Sequence, residues 1–186
     1  MSPSTPRGVL YVIVCAAGVA TDVAKLITAA QERGWDTWII PTPSAVDFID
    51  LPTLQKLTGH PIRARYRQPG EGGKLPPADA IIVAPATYNT INKWAAGISD
   101  TFALGLLAEL TPAGIPVAVL PFVNASLAAN RAFIRSVAEL REAGVTVLLG
   151  KGGFIPHPAG QGGTRIAAFP WEITLEAIEH RQEPSK

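Results

Sequence analysis

The sequence predicts an α/β fold, a doubly wound parallel sheet with helices on both faces, in a single domain of 186 residues. Two observations predict it. Short apolar runs of strand length alternate along the chain with longer segments of helical periodicity, and turns rich in glycine and proline connect most of them. Such alternation is typical of βαβ units, in which successive strands run parallel.

Five apolar runs are predicted to be strands, at residues 9–15, 35–40, 80–84, 115–120 and 145–149. Six segments are predicted to be helices, at residues 19–33, 44–48, 90–98, 101–110, 126–143 and 170–180. The unbroken run 80–84 is typical of a strand buried on both faces, and Pro85, which has no backbone N–H, is expected to end it. Residues 59–77 carry four prolines and four glycines and are expected to form an irregular surface loop.

Composition excludes several classes of protein. The formal net charge is +1, so no extended basic face for nucleic acid is expected. No apolar stretch reaches the roughly 20 residues that span a membrane, and the polar N-terminal lead does not resemble a signal peptide. A cytoplasmic protein is therefore expected. Charged residues make up only 17%, which indicates either a thick two-sided core or apolar surface covered by further copies of the chain.

Cysteine and histidine content limits the chemistry further. Cys15 is the single cysteine, which excludes an internal disulfide and a cysteine-built metal site. It ends an apolar strand and is expected to be a buried small apolar residue rather than a nucleophile. The three histidines lack the spacing of metal ligands, so no metal is expected.

In an open parallel sheet, ligands bind where the strands end at their carboxyl termini. Four turns therefore form the candidate site, at residues 15–19, 41–45, 85–90 and 121–126. The small residues Ala16, Ala17 and Gly18 would let the backbone approach a phosphate, next to the positive end of the following helix. An ordinary tight turn between strand and helix is the alternative.

The third turn and its helix carry the most specific motif. It consists of Pro85-Ala86-Thr87, Asn89-Thr90-Ile91, Lys93, Ala95, Gly97-Ile98 and Asp100. This motif resembles the flavin-binding signature of the homo-oligomeric FMN-containing cysteine decarboxylases, which include phosphopantothenoylcysteine decarboxylase and the enzymes that decarboxylate peptide C-terminal cysteines. The resemblance covers residues 8–149. It implies a Rossmann-like flavoprotein fold, FMN as cofactor, a small-molecule or peptide substrate, and a homo-oligomer built from trimers.

The resemblance also implies which residues hold FMN. The expected contacts are Ala17, Gly18, Thr42, Ser44, Phe48, Ala86, Thr87, Asn89 and Thr90. The family usually has a Gly-Ser pair where this chain has Ala17 and Gly18, so backbone N–H groups must replace a hydroxyl there. Helix capping is the alternative role for Ser44, Thr87 and Asn89.

Asn124 and His157 are the candidate catalytic residues. Asn124 matches the family asparagine that holds the substrate carboxylate, although it would also serve as a helix cap. The family's catalytic histidine is missing, because residues 68–75 contain none and Glu71 is the nearest in kind. The segment 151–160 replaces the family's substrate clamp. His157 in it is a candidate acid–base group that could enter the site from this loop, and the alternative, the more usual role of a lone histidine between prolines, is that it is merely part of the loop.

The expected activity is oxidative decarboxylation, in which FMN takes two electrons from a cysteine thiol and the adjacent carboxylate leaves. An accessory flavin-binding protein without this activity is the alternative, since the histidine and the clamp are absent. A flavin prenyltransferase is disfavoured because its Gly-Ala-Ser-Gly first turn is not present. A nicotinamide dehydrogenase is disfavoured because no Gly-x-Gly-x-x-Gly follows the first strand.

Overall fold

The computed structural model describes residues 7–181 of the chain and contains five parallel strands in one sheet. The strands are β1 (Gly8–Val14), β2 (Trp35–Pro41), β3 (Ala80–Ala86), β4 (Val117–Pro121) and β5 (Thr146–Val147). Their order is β2-β1-β3-β4-β5, and every neighbouring pair is parallel. The chain order reverses between β1 and β3, as in a doubly wound sheet, so the predicted fold class is confirmed.

Within residues 7–181, seven α-helices cover the two faces of the sheet. They are α1 (Ala24–Glu32), α2 (Leu51–Thr58), α3 (Tyr88–Ala95), α4 (Phe102–Leu110), α5 (Ala125–Ala128), α6 (Arg131–Glu142) and α7 (Glu172–Glu179). Alternation along β1 divides the core: Leu10 and Val12 join α1 and α7 on one face, whereas Tyr11 and Ile13 join α3, α4 and α6 on the other. The apolar runs that were predicted to be strands are thus buried on both faces of the sheet.

The ends of the strands are level with one another. Val14 pairs with Pro41 across β1 and β2, and the Cys15 N–H donates to the Pro85 oxygen at 3.0 Å. The Phe122 N–H donates to the Ala86 oxygen at 2.9 Å. The turns after β1, β2, β3 and β4 therefore lie side by side, and we call this border of the sheet the carboxyl edge.

The prediction for Pro85 was wrong, because β3 continues through it to Ala86. The pairing with β4 shifts register between Val83 and Ala86. The missing N–H of proline falls in this irregular stretch, where a regular ladder does not require it.

Side-chain caps and turns account for most other differences from the predicted elements. The predicted helix 19–33 starts as a 3₁₀ turn, Gly18–Asp22, and becomes α-helical only at Ala24. The predicted helix 126–143 is two helices, because the Asn130 side chain accepts from the Ala132 N–H and starts α6 anew. The last strand is only Thr146–Val147.

Helix α2 was missed by the prediction. Asp50 caps it by accepting from the Thr53 N–H, and Pro52 occupies its first turn. The predicted helix at 44–48 is instead a 3₁₀ turn, Pro43–Phe48. Thr42 precedes this turn, and its side chain makes no capping hydrogen bond.

Residues 61–77, which we call the arginine loop, have no helix or strand, as predicted. Two tyrosines attach this loop to the body of the protein. The Tyr66 ring packs edge-on against Phe102 of α4, and the Tyr11 hydroxyl donates to the Pro76 oxygen at 2.5 Å. No helix in the described part of the chain is long and apolar enough to cross a membrane. The predicted polar lead and tail lie largely outside the described residues.

Candidate functional site

The first turn of the carboxyl edge combines small residues with an exposed glycine. Ala17 is buried beneath the 3₁₀ turn, whereas Gly18 at its start is exposed. A Cβ atom on Gly18 would meet only the Ile166 side chain, at 3.9 Å. The backbone at Gly18 is therefore open to a close approach by a ligand, as expected for a phosphate-binding turn.

The second turn supplies two hydroxyls and one aromatic ring. Within residues 7–181 the hydroxyls of Thr42 and Ser44 have no hydrogen-bond partner. The Thr42 N–H donates to the Val14 oxygen at 2.8 Å, which fixes this turn against β1. Phe48 ends the 3₁₀ turn and is 40% exposed, an unusual position for a large apolar ring. The alternative that Ser44 is a helix cap finds no support, because its hydroxyl caps nothing.

In the third turn, Thr87 caps α3. Its hydroxyl oxygen accepts from the Thr90 N–H at 3.3 Å and donates to the Thr90 hydroxyl at 3.1 Å. Asn89 is exposed and its amide has no partner among the described residues. Capping thus engages Thr87 and Thr90 but leaves Asn89 available to a ligand.

Cys15 lies directly beneath this turn. Burial raises the pKa of its thiol because the thiolate would lose hydration, while the neighbouring Thr90 and Thr87 act in the opposite direction. The side chain is 1% exposed. The prediction of a buried, apolar cysteine is confirmed.

Tyr88 lies beside the cap residue Thr87. Its ring stacks on the fully buried Phe133 of α6, with ring centres 5.6 Å apart. Tyr88 is therefore a packing residue between α3 and α6.

The fourth turn brings Asn124 and His157 together. Asn124 caps α5, since its Oδ1 accepts from the Leu127 N–H at 2.9 Å. Asn124 and His157 are paired in an isolated parallel bridge, and the Ala125 N–H donates to the His157 oxygen at 2.7 Å. Capping uses only the oxygen of the asparagine amide, so its NH₂ group has no partner among the described residues.

His157 is only 5% exposed, and its ring lies among aromatic rings. Phe122 and Phe154 lie with ring centres 5.2 Å and 5.9 Å from it. The Nδ1 atom is buried without a hydrogen-bond partner. An unpaired buried nitrogen costs about 1–3 kcal/mol, so it requires an explanation beyond packing.

Sequence reasoning missed where the segment after His157 runs. A Cβ atom on Gly162 would lie 3.0 Å from the His157 Nε2, and Ile166 lies over Gly18. Residues 157–166 thus cross the carboxyl edge from the fourth turn to the first. Nothing local predicts this path, because the segment has neither helical nor strand periodicity.

Within residues 68–75, Glu71 is the side chain whose acid–base chemistry is most similar to that of the missing histidine. The structure holds it in the ionised, carboxylate form. Both oxygens of Glu71 accept from the Arg65 guanidinium, at 2.7 and 3.1 Å, and the Gln68 N–H donates at 2.9 Å. These bonds lower the pKa of Glu71 to about 2, with Arg65 as the main cause. A carboxylate of this kind is a weak base, so Glu71 does not replace the histidine.

The profile of the flavoprotein family matches residues 4–165, so the chain belongs to that family. The match extends past Leu149, where the predicted resemblance ended. By sequence, the chain is 31% identical over 130 residues to the coenzyme A biosynthesis bifunctional protein CoaBC of Vibrio vulnificus, with 67% of this chain and 32% of that protein covered. It is 28% identical over 147 residues to CoaBC of Mycolicibacterium smegmatis, covering 74% and 34%. The chain spans about a third of the length of these relatives.

Solved structures share the fold at lower identity. MrsD from Bacillus sp. HIL-Y85/54728 superposes with a TM-score of 0.70 at 18% identity, covering 95% of this chain and 96% of MrsD. The FMN-binding protein AtHal3 gives 0.68 at 16% identity, covering 96% and 100%. The FMN-dependent cysteine decarboxylase SpaF gives 0.63 at 24%, covering 89% and 98%. The family match confirms the predicted flavoprotein family, and these solved structures confirm the fold.

Proposed function

We propose that the chain binds FMN at the carboxyl edge and catalyses the oxidative decarboxylation of a substrate with a cysteine thiol beside a free carboxylate. One observation carries this proposal: Thr42 and Ser44 after β2, and Asn89 after β3, present unpartnered hydroxyl and amide groups at one edge of the sheet, on either side of the first turn. Such groups suit the phosphate, the ribityl hydroxyls and the ring edge of a flavin. The exposed Gly18 backbone suits the phosphate.

When bound, FMN would accept the two electrons of the thiol, and this oxidation makes loss of the neighbouring carboxylate feasible. Ala17, Gly18, Thr42 and Ser44 would hold the phosphate end. Asn89 and the capped backbone of Ala86, Thr87 and Thr90 would face the rest of the cofactor, and the exposed Phe48 ring would cover it from one side.

Asn124 would hold the substrate carboxylate. Its two candidate roles are compatible, because the side-chain oxygen caps α5 while the NH₂ group remains a donor. The cap fixes the orientation of the amide, which lowers the entropy cost of binding the carboxylate.

His157 would accept the thiol proton. Support comes from its place beside Asn124 at the fourth turn. Imidazole is the side chain that most often serves as a general base in enzymes.

A flavin-binding protein without decarboxylase activity is the second candidate. One observation favours it: the His157 ring is almost fully buried among Phe122 and Phe154, a setting typical of a structural side chain.

The absorbance spectrum of the purified protein, with the released cofactor identified by mass, tests the first step. We expect one FMN per chain. Loss of carbon dioxide from phosphopantothenoylcysteine and from peptides with a C-terminal cysteine, followed by mass spectrometry, tests the second. Failure to bind FMN even after incubation with it would contradict the proposal, and FMN binding without any turnover would select the second candidate.

A homo-oligomer, trimer-based as the resemblance implies, and a cytoplasmic location remain part of this proposal. Large apolar side chains that are exposed in the single chain support the oligomer; they are Phe48, Tyr66, Ile98, Leu127, Ile134 and Ile155. Light scattering during size-exclusion chromatography measures the number of chains, and a monomeric mass would contradict the oligomer.

A further inference from the structure

The outer face of α6 carries opposite charges in its two halves. Arg131 and Arg135 lie in the first half of the helix, and Glu139 and Glu142 lie in the second half. All four side chains are exposed. Among residues 7–181, none of the four forms an ion pair. The helix therefore presents a basic half and an acidic half, both unneutralised, to its surroundings.

This order of charges is unfavourable in an isolated chain. The N-terminus of a helix is the positive end of its dipole, yet Arg131 is the first residue of α6, and Glu142 is the last, at the negative end. Arg131 and Arg135 also lie one turn apart, where like charges repel. Arg141 suits the last turn, but its guanidinium donates to the Val147 oxygen at 3.4 Å, within the same chain. An opposite charge from outside the chain at each end of α6 would remove this cost.

A short apolar strip lies between the two charged ends. Ile134 is 56% exposed and lies one turn from the exposed Ala138. On the other side of the same face, Arg135 and Glu139 line a cavity of about 380 Å³ between α6 and α3, with Ala95 among its walls. The small alanine side chains leave space for a second helix beside α6.

We propose that α6 binds α6 of a second copy of this chain, in antiparallel orientation about a two-fold axis. In a register centred on the middle of the helix, Arg131 of one copy lies opposite Glu142 of the other. Arg135 lies in the same way opposite Glu139, on one side of the contact. Two-fold symmetry repeats both pairs, so each of these four charges gains an opposite partner.

The same register brings the apolar strips together. Ile134 of one copy packs on Ala138 of the other, on the opposite side of the contact from the ion pair of Arg135. A large side chain facing a small one allows close packing, and antiparallel helix dipoles attract each other. Charge, shape and dipole therefore favour the same arrangement. A parallel pair would instead place like charges opposite each other.

The contact is expected to be weak and sensitive to salt. Helix α6 has 12 residues and is about 18 Å long, so a pair of such helices buries less surface than the interfaces of stable complexes. Exposed ion pairs are screened over about 8 Å at physiological ionic strength, so added salt weakens them. None of the residues involved belongs to the carboxyl edge, and the contact is therefore independent of FMN and of the proposed reaction.

Sedimentation of the full chain over a range of concentrations tests the contact. We expect the parent chain to associate into species with an even number of copies, and the dissociation constant to rise with salt. Arg135→Glu places carboxylates opposite each other, and Glu139→Arg places cations opposite each other. Each variant should raise the dissociation constant at least about tenfold. Lys56→Glu, a charge reversal at an exposed position on α2, is the matched control and should leave it unchanged.

Mixing the two variants distinguishes loss of the contact from loss of folding. A pair made of one Arg135→Glu chain and one Glu139→Arg chain has opposite charges at both positions in the antiparallel register. The mixture should therefore recover the association of the parent chain, although each variant alone does not associate to the same extent.

A parent chain found only as a monomer or a trimer would overturn the proposal. Association that both variants leave unchanged, or a mixture that associates no better than its components, would also overturn it, in favour of a different partner for α6. No step of the assay depends on FMN, so its outcome is separate from the success or failure of the proposed function.

Discussion

Asn124 and His157 face each other in an isolated β-bridge, and the Ala125 N–H donates to the His157 oxygen at 2.7 Å. Backbone bonds therefore hold the histidine against the fourth turn of the carboxyl edge, independently of its side chain. Replacing the imidazole should leave this attachment intact, which makes the role of the side chain testable by mutation.

Exchange of Asn124 for aspartate separates its two roles. Asn124→Asp keeps an oxygen that caps α5 but places a negative charge where the substrate carboxylate is proposed to bind. We expect kcat/KM to fall by at least about tenfold and the melting temperature to change little. Asn130→Asp, in which the exchanged residue likewise caps a helix, is the control and should keep full activity. Equal activity of the two variants would contradict the carboxylate role.

Loss of the Thr87 hydroxyl should affect both stability and cofactor binding. Thr87→Ala removes the cap of α3, which costs about 1 kcal/mol of unfolding free energy. Thr101→Ala removes the equivalent cap of α4, a helix that follows α3 rather than a strand of the sheet. We expect chemical denaturation to give similar losses for both variants, whereas the FMN dissociation constant should rise only for Thr87→Ala. An equal rise of the FMN dissociation constant in both variants would indicate a purely structural role for Thr87.

Replacement of the His157 imidazole by a phenyl ring tests its chemistry. In His157→Phe the unpaired buried Nδ1 is lost, which offsets the strain of a larger ring beside Gly162. We expect the unfolding free energy to change by no more than about 1 kcal/mol and FMN binding to persist, while turnover is lost. Turnover close to that of the parent chain would show that His157 is only a packing residue.

Gly105 of α4 lies directly against the Tyr66 side chain of the arginine loop. A Cβ atom there would overlap the Tyr66 hydroxyl, so Gly105→Ala should displace Tyr66 from α4. We expect trypsin to cleave the loop at its arginines faster than in the parent chain. In a Tyr66→Ala background the same change should stabilise the protein by up to about 1 kcal/mol, because alanine is the better helix former. If the changes in unfolding free energy caused by Gly105→Ala and Tyr66→Ala were additive, this would argue against a contact between Gly105 and Tyr66.

The Cys15 thiol should resist alkylation in the folded protein. Its folded pKa is raised above the unfolded value, so the neutral thiol contributes stability that is present below about pH 8.5 and is lost as the pH rises above it. We expect iodoacetamide to label Cys15 only at the rate of unfolding, as followed by mass spectrometry. Fast labelling under native conditions would contradict its burial.

The sequence alone determined the sheet, the family and the positions of the candidate turns. Buried parallel strands such as Ile81–Val83 are apolar without interruption, and a polar turn with a helix cap such as Thr87 follows directly, so both signals are local. Capping residues that lie inside a helical pattern were harder to predict. Asn130 interrupts the predicted helix 126–143, although its neighbours keep helical periodicity.

Only the tertiary structure decided which distant residues meet. The approach of His157 to Asn124 depends on a β-bridge between segments without periodicity, and the position of Ile166 over Gly18 depends on the path of residues 157–166 across the edge. The arginine loop likewise lies against α4 only in the folded chain, where Tyr66 packs on Phe102. Local sequence encodes secondary structure through backbone hydrogen bonds and periodic burial, whereas contacts between loops arise from packing across the whole fold, which no local pattern specifies.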